Sequence, residues 1–256
     1  MYFQKSIANA SQNTLPDHYT CLPQALYTGQ SVREMDHCAI KNHDIDGFEL
    51  MNKAARFSFH ALVKEWPNTK NLAVLCGSGN NGGDGYIVAA LAKKRGWHVQ
   101  VLFASPPKNL KGDALSAYHL CLEEKVACNA FSKTKFHSFC KNDDTIIVDA
   151  LLGTGLNCDV QGLYSEIIKE TKQQTCPILA IDIPSGLAAN TGQALGITIR
   201  ADLTATFIGL KLGLFTGSGR HYSGKIVFSD LGLESDMFAH ITPVAKRLDL
   251  ESLLTN

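Results

Sequence analysis

The sequence is short of several features, and each shortage closes off a class of protein. None of its eight cysteines stands in a C-x-x-C pair, and no histidine lies near one at ligand spacing. That argues against a zinc site or a dithiol redox motif. Charged residues make up only 19%, with 24 basic residues against 24 acidic ones. A net charge of zero speaks against a nucleic-acid partner, because phosphate binding leans on many cationic contacts. No apolar run approaches the about 18 residues of a membrane span, so no membrane partner is expected. The first residues hold no basic stretch followed by an apolar one, so no secretion signal is expected either. Free thiols then fit a reducing, cytoplasmic setting.

What is present is core-forming material. Apolar residues make up 45% of 256, enough for one large α/β domain. Residues 1–24 are polar and poorly patterned, with Pro16 and Pro23, and are expected to form a flexible leader. Val32, Met35, Ala39 and Ile40 recur at helical intervals until a break at Asp46-Gly47, and Phe48, Met51, Ala55, Phe59 and Leu62 resume the period up to Pro67. Two helices thus precede the first strand. Short apolar runs then alternate with helical segments. Strands are expected over 71–76, 98–103, 145–148, 178–181, 201–208 and 225–228, and helices over 86–95, 112–124 and 163–172. Strands that are continuously apolar and separated by helices predict a mostly parallel sheet covered on both faces, a Rossmann-like three-layer αβα sandwich.

The first strand runs into Gly77-Ser78-Gly79-Asn80-Asn81-Gly82-Gly83-Asp84-Gly85. Gly77, Gly79 and Gly82 satisfy G-x-G-x-x-G, which lets backbone approach a phosphate at a helix N-terminus. The bland alternative is a tight strand-to-helix turn. An ordinary dinucleotide dehydrogenase would carry an acidic residue after its second strand to hold a ribose hydroxyl. Here Ala104-Ser105-Pro106-Pro107 follows instead, so a NAD-dependent oxidoreductase is the weaker reading.

Two aspartates end later strands. Asp149 leads into Gly153-Thr154-Gly155, and Asp182 leads into Pro184-Ser185-Gly186. Ligands of open α/β sheets bind beyond the carboxyl ends of the strands, so both acids are expected in one crevice with the glycine-rich turn. Each could instead cap its own turn. Asn81, Asp149 and Ser185 offer only hard oxygen donors, which suit an alkali or alkaline-earth cation. Lys211 stands alone in the apolar stretch 207–214, as a contact to phosphate or reacting ring or as a snorkelling surface lysine. Tyr27, Gln30, Arg33 and Asp36 read as a solvated or intersubunit helix face.

Five segments occur in one order: Tyr27-Thr28-x-Gln30-x-x-Arg33-x-x-Asp36, Gly79 to Gly85, Val148 to Gly155, Asp182-Ile183-Pro184-Ser185-Gly186, and the run from Thr206 to Gly213. Together they resemble the NAD(P)H-hydrate epimerase family, the YjeF N-terminal domain, over nearly the whole region 25–238. The resemblance implies a Rossmann-like fold with extra N-terminal helices. It also implies an isomerase that interconverts the R and S epimers of NADH or NADPH hydrated at C6, for a partner dehydratase specific for the S form. Carried over residue by residue, Asn80, Asn81, Gly82, Gly83 and Asp84 hold substrate, as do Gly153, Thr154, Gly155, Leu156, Asn157, Cys158 and Asp159. Asp182 meets the reacting end as acid/base, with Lys211 a second candidate. Asn81, Asp149 and Ser185 bind K+. Epimerisation proceeds either by loss and return of water or by ring opening.

The resemblance further implies a homodimer through the N-terminal helices. Residues 239–256 are expected to be a tail that resembles the linker to a dehydratase domain on a longer bifunctional chain. The competing reading from another class is a non-catalytic binding module of the same fold, as in scaffolds of mRNA decapping. Asp182 and both glycine-rich loops favour the enzyme.

Overall fold

The computed structural model describes residues 22–142 and 144–248. Seven strands form one parallel sheet: β2 (Asn71–Cys76), β3 (His98–Phe103), β4 (Ala127–Ala130), β5 (Thr145–Ala150), β6 (Ile178–Ile181), β7 (Leu203–Phe207) and β9 (Lys225–Ser229). Their spatial order is β4-β3-β2-β5-β6-β7-β9. The chain starts in the middle, moves outward through β3 and β4, then returns to β5 and runs the other way. The order therefore reverses between β2 and β5, the point where an open α/β sheet leaves a crevice for a ligand.

Alternate residues of each strand feed two cores. Leu72, Val74 and Cys76 face one cluster, with α1 (Gly29–Asn42), α2 (Gly47–Glu65), α3 (Asn80–Lys94) and α4 (Gly112–Glu123). Ala73 and Leu75 face the other, with α5 (Lys133–Cys140) and α6 (Gly162–Thr171). The three-layer sandwich expected from the continuous apolar strands is thus present. Caps mark the two N-terminal helices. Thr28 accepts from the Ser31 N–H at 2.9 Å, and Asp46 accepts from the Glu49 N–H at 2.8 Å, each satisfying a donor the helix leaves free.

A small second sheet ties the ends of the fold together. β1 (Ala25–Tyr27) lies between β8 (Leu210–Lys211) and β10 (Ala245–Lys246). The tail expected from 239 onward is therefore docked on the domain through β10. Arg247 adds bonds to the carbonyls of Leu22 and Pro23. The leader before residue 22 and the tail beyond 248 lie outside the described residues.

The helix expected to start at residue 86 starts at Asn80, because close packing overrides the poor helix propensity of glycine. A Cβ on Gly82 would lie 2.2 Å from the Gly77 carbonyl oxygen, and one on Gly77 would lie 1.9 Å from that of Leu151. These two glycines let β2, α3 and the loop after β5 meet. Gly79, the N-cap, has nothing within 4 Å of its Cβ position. We expect Gly77→Ala to destabilise the domain by about 1–3 kcal/mol through overpacking. Gly79→Ala should cost less than about 1 kcal/mol. Urea unfolding midpoints at constant m-value check the contrast.

Candidate functional site

A cavity of about 490 Å3 opens at the reversal point, within the range that holds a small ligand. Backbone and small side chains of Ser78, Gly79, Asn80, Thr154 and Gly155 line part of it. No side chain caps the start of α3, so its first N–H groups and the positive end of its dipole are free for an anion. Apolar side chains from α1 and α2, among them Val32, Ile40, Leu50 and Met51, line another part, together with Asp36, Asp84, Asp113, Asp182 and Lys211.

Asp182 follows β6 directly and adopts a φ of +68°. That left-handed conformation is uncommon for a residue with a side chain and marks stored strain. Two interactions hold it there. Its N–H donates to the Ala205 carbonyl at 2.7 Å, and its carboxylate pairs with the Lys211 ammonium at 2.5 Å. Lys211 is 1% exposed. It also donates to the Thr206 hydroxyl at 3.0 Å and the Phe207 carbonyl at 2.9 Å. All three of its protons are used. Lys211 is neither a snorkelling surface lysine nor a free contact for a ligand; it positions Asp182.

Asp149 is fully buried within β5, one strand position earlier than a strand-end residue would sit. Its carboxylate accepts from the Ser185 N–H at 2.8 Å, the Ser185 hydroxyl at 2.6 Å and the Leu151 N–H at 3.3 Å. Ser185 in turn accepts from the Leu152 N–H at 2.9 Å. Burial outweighs these bonds and lifts the Asp149 carboxyl to about 6. The Asn81 side-chain amide is likewise buried, with no hydrogen-bond partner among the described residues. A Cβ on Gly153 would stand 3.5 Å from both Asn81 Cβ and Asp182 Oδ2, so the start of α3, the loop after β5 and Asp182 converge.

Not every expected ligand residue reaches the cavity. Asn80, Asn81, Asp84, Gly153, Thr154, Gly155, Leu156 and Asn157 line it. Cys158 and Asp159 are exposed and do not; Asp159 packs beside Gly196. Gly82 and Gly83 are buried in α3, serving backbone contact rather than the cavity. Asp149 and Ser185 sit behind its wall, joined to each other.

The cavity also gains residues. Tyr164, from the first turn of α6, and Asp113, from that of α4, line it. Arg33 and Asp36 do so as well, which revises their reading as a solvated or intersubunit face. Arg33 donates to the Thr154 carbonyl at 2.6 Å, so α1 holds the 153–157 loop.

The carboxyl groups are costly here. Burial, then the Asp182 and Asp36 charges, push Asp84 well above the usual carboxylate range, against the pull of Lys211. The folded protein thus holds the Asp84 proton more tightly than the unfolded chain does. Its contribution to stability is full below the unfolded value of 3.8 and is lost as pH rises toward the folded value. We expect Asp84→Asn to melt above the wild type at pH 7. The gap should close as the pH falls through 3.8, as thermal unfolding across pH checks.

Comparison with known proteins shows the family of the chain. The family model described as "YjeF-related protein N-terminus" matches residues 47–213. A bifunctional NAD(P)H-hydrate repair enzyme of Coxiella burnetii is 36% identical over 213 residues, covering 83% of this chain and 42% of that protein. An Escherichia coli bifunctional repair enzyme is 35% identical, covering 95% of this chain and 46% of that protein. The chain thus spans less than half the length of these bifunctional relatives. An NAD(P)H-hydrate epimerase of Legionella pneumophila is 32% identical, covering 82% of this chain and 78% of that protein. The crystal structure of the yeast protein YNL200c superposes with a TM-score of 0.72 at 19% identity, over 84% of this chain and 93% of that one, which supports the fold. On a match over more than half of its length, and on the relatives that share its sequence, this chain belongs to the YjeF-related N-terminal family.

Proposed function

We propose that this domain is an epimerase that interconverts the R and S forms of NADH or NADPH hydrated at C6 of the nicotinamide ring. One observation carries the reading: a single cavity joins an uncapped helix start to an ion-paired carboxylate on a strained turn. The free N–H groups of α3 and the backbone of the 153–157 loop take the pyrophosphate and sugars. The apolar side chains of α1 and α2 cover the ring. The names of the relatives, one an epimerase and others bifunctional repair enzymes, support the same substrate. The bifunctional names also favour a dehydratase specific for the S hydrate as functional partner, on the same chain in such proteins.

The chemistry follows from the ring. Once an acid protonates the C6 hydroxyl, the lone pair of the neighbouring ring nitrogen expels it as water. Water then returns to C6 on the other face while a base takes its proton. Asp182 stands at the reacting end as acid/base. Lys211 keeps its carboxyl from swinging, and the Ala205 carbonyl holds its backbone N–H. The wall of apolar side chains limits competing bulk water.

The oxygen donors of Asn81, Asp149 and Ser185 suit potassium as their ion. The Asn81 amide oxygen is buried without a partner, and Asp149 uses three of its carboxylate's about four acceptor sites. Oxygen donors of this kind suit a hard cation. Held by Asn81, Asp149 and Ser185, the ion would supply positive charge beside a buried carboxylate.

Asp182→Asn should lower R/S interconversion at least about 100-fold, the lower bound for a lost general acid/base. The variant also loses stability, because Lys211 then buries its charge without a counter-ion. Rates are therefore compared well below its melting transition, by chromatographic separation of the epimers; an unchanged rate contradicts the assignment. For the cation, KCl should raise the melting temperature above that in equal tetramethylammonium chloride, by ligand linkage. Asn81→Ala should abolish that difference, and an equal difference in both proteins contradicts the site.

A further inference from the structure

We infer that Asp36 is a second catalytic residue of this cavity, carrying the proton on the face of the ring opposite to the one Asp182 serves. The inference rests on the epimerase reading and deepens it. Inversion at C6 requires hydroxyl to leave from one face and water to enter from the other. A carboxyl that cannot swing reaches one face of a ring whose dinucleotide is anchored by its phosphates. Asp182 is such a carboxyl, held by the Lys211 ion pair at 2.5 Å and by its backbone bond to Ala205. The second face needs a proton carrier from another wall.

Asp36 meets that need by position. β1 pairs with β8 so that Tyr27 stands opposite Lys211, which seats the start of α1 beside the residue that holds Asp182. One turn into α1, Arg33 binds the Thr154 carbonyl. Asp36 lies three residues further on the same helix face and lines the cavity. Among the described residues, nothing hydrogen-bonds or ion-pairs with its carboxyl, whereas Asp149 accepts three bonds and Asp182 is ion-paired.

The surroundings raise the Asp36 carboxyl above its ordinary value, so it holds its proton more tightly than in water. Burial is the largest cause, and the charges of Asp182 and Asp113 add to it; Lys211 and His37 act in the other direction. The other two free acids fit less well. Asp113 is set against Gly47, whose Cβ would lie 2.5 Å from its carboxylate. Asp84 stands three residues beyond Asn81 on α3 and so shares its helix face, on the side of the uncapped helix start.

The step balances. Neutral Asp36 gives its proton to the C6 hydroxyl, the C–O bond breaks, and the nitrogen lone pair forms a C=N bond. The products are water, a cyclic iminium cation and the Asp36 carboxylate. Water then attacks C6 from the opposite face, a new C–O bond forms, and the C=N pair returns to nitrogen. The proton of that water passes to Asp182. The reverse direction uses the same two groups with their roles exchanged, and solvent resets the protons.

The test uses each purified hydrate epimer in 18O-labelled water with wild type, Asp36→Asn and Asp182→Asn, all checked for folding by circular dichroism. Wild type should invert each epimer and place solvent oxygen at C6 of the product. Asp36→Asn should lose inversion at least about 100-fold yet still exchange the C6 oxygen of one epimer with retention. Asp182→Asn should exchange only the other epimer. Asp36→Glu, which keeps the carboxyl, should exchange both, and it carries the test if Asp36→Asn does not fold. The inference is overturned by inversion in Asp36→Asn within about threefold of wild type, by exchange in the same epimer for both Asn variants, or by loss of exchange in both epimers in folded Asp36→Asn. It is likewise overturned by loss of exchange in Asp36→Glu, or by inversion that retains the original oxygen. A wild type that inverts nothing overturns the epimerase reading, and this inference with it.

Discussion

A lysine that is 1% exposed must place its charge and three protons inside the protein, and Lys211 places them on Asp182, Thr206 and Phe207. Removing one partner of such a buried pair leaves an uncompensated charge, which is strongly destabilising. The pair therefore constrains much around it. It holds Asp182 in its left-handed turn at the end of β6. It also ties β8 to the end of β7, and through β8 it seats β1 and the start of α1. The small sheet that anchors β10 is built on the same strand. One ion pair thus links the central sheet to the N-terminal layer across the cavity.

The cavity that results is rich in acidic side chains. Asp36, Asp84, Asp113 and Asp182 line it, with Lys211 and Arg33 as the cations among its lining residues. Burying carboxyl groups costs stability, and burial is the largest cause of the raised values of Asp36 and Asp84. The arrangement makes sense if the reacting ring becomes positive. A cyclic iminium gains from nearby carboxylates while the neutral hydrate does not, so the acids favour the transition state over the ground state. Stability given up for such a site is a common exchange in enzymes. Phosphates held by backbone N–H groups instead of lysines, as proposed, would fit a chain of 24 basic and 24 acidic residues.

The sheet was legible because its strands are apolar runs bounded by breaks. Residues 71–76, 98–103 and 178–181 coincide with β2, β3 and β6. The elements that escaped notice lack that signal. β4 is short and only partly buried, β1 and β8 span three and two residues, and α5 has eight residues of which only Phe136 and Phe139 are buried. The start of α3 was hidden by its glycines, which look like a loop until packing draws them into a helix.

The site divides along the same line. Asp149 and Asp182 stood out because each ends an apolar strand, and Asn80, Asn81 and Asp84 because they sit among glycines. Arg33, Asp36, Asp113 and Tyr164 reach the cavity from helices, where an isolated charged or aromatic residue has the pattern of a solvated face. The pairing of β1 with β8 and the Arg33 bond to the Thr154 carbonyl show that the α1 face looks inward. The central claim is that this cavity interconverts the two hydrate epimers. Its most direct measurement supplies an equilibrated hydrate mixture to a dehydratase specific for the S form. The account predicts that the dehydratase alone stops once the S fraction is gone, apart from the slow uncatalysed exchange, and that adding this protein drives consumption promptly to completion. An R fraction that persists with the protein present would contradict it.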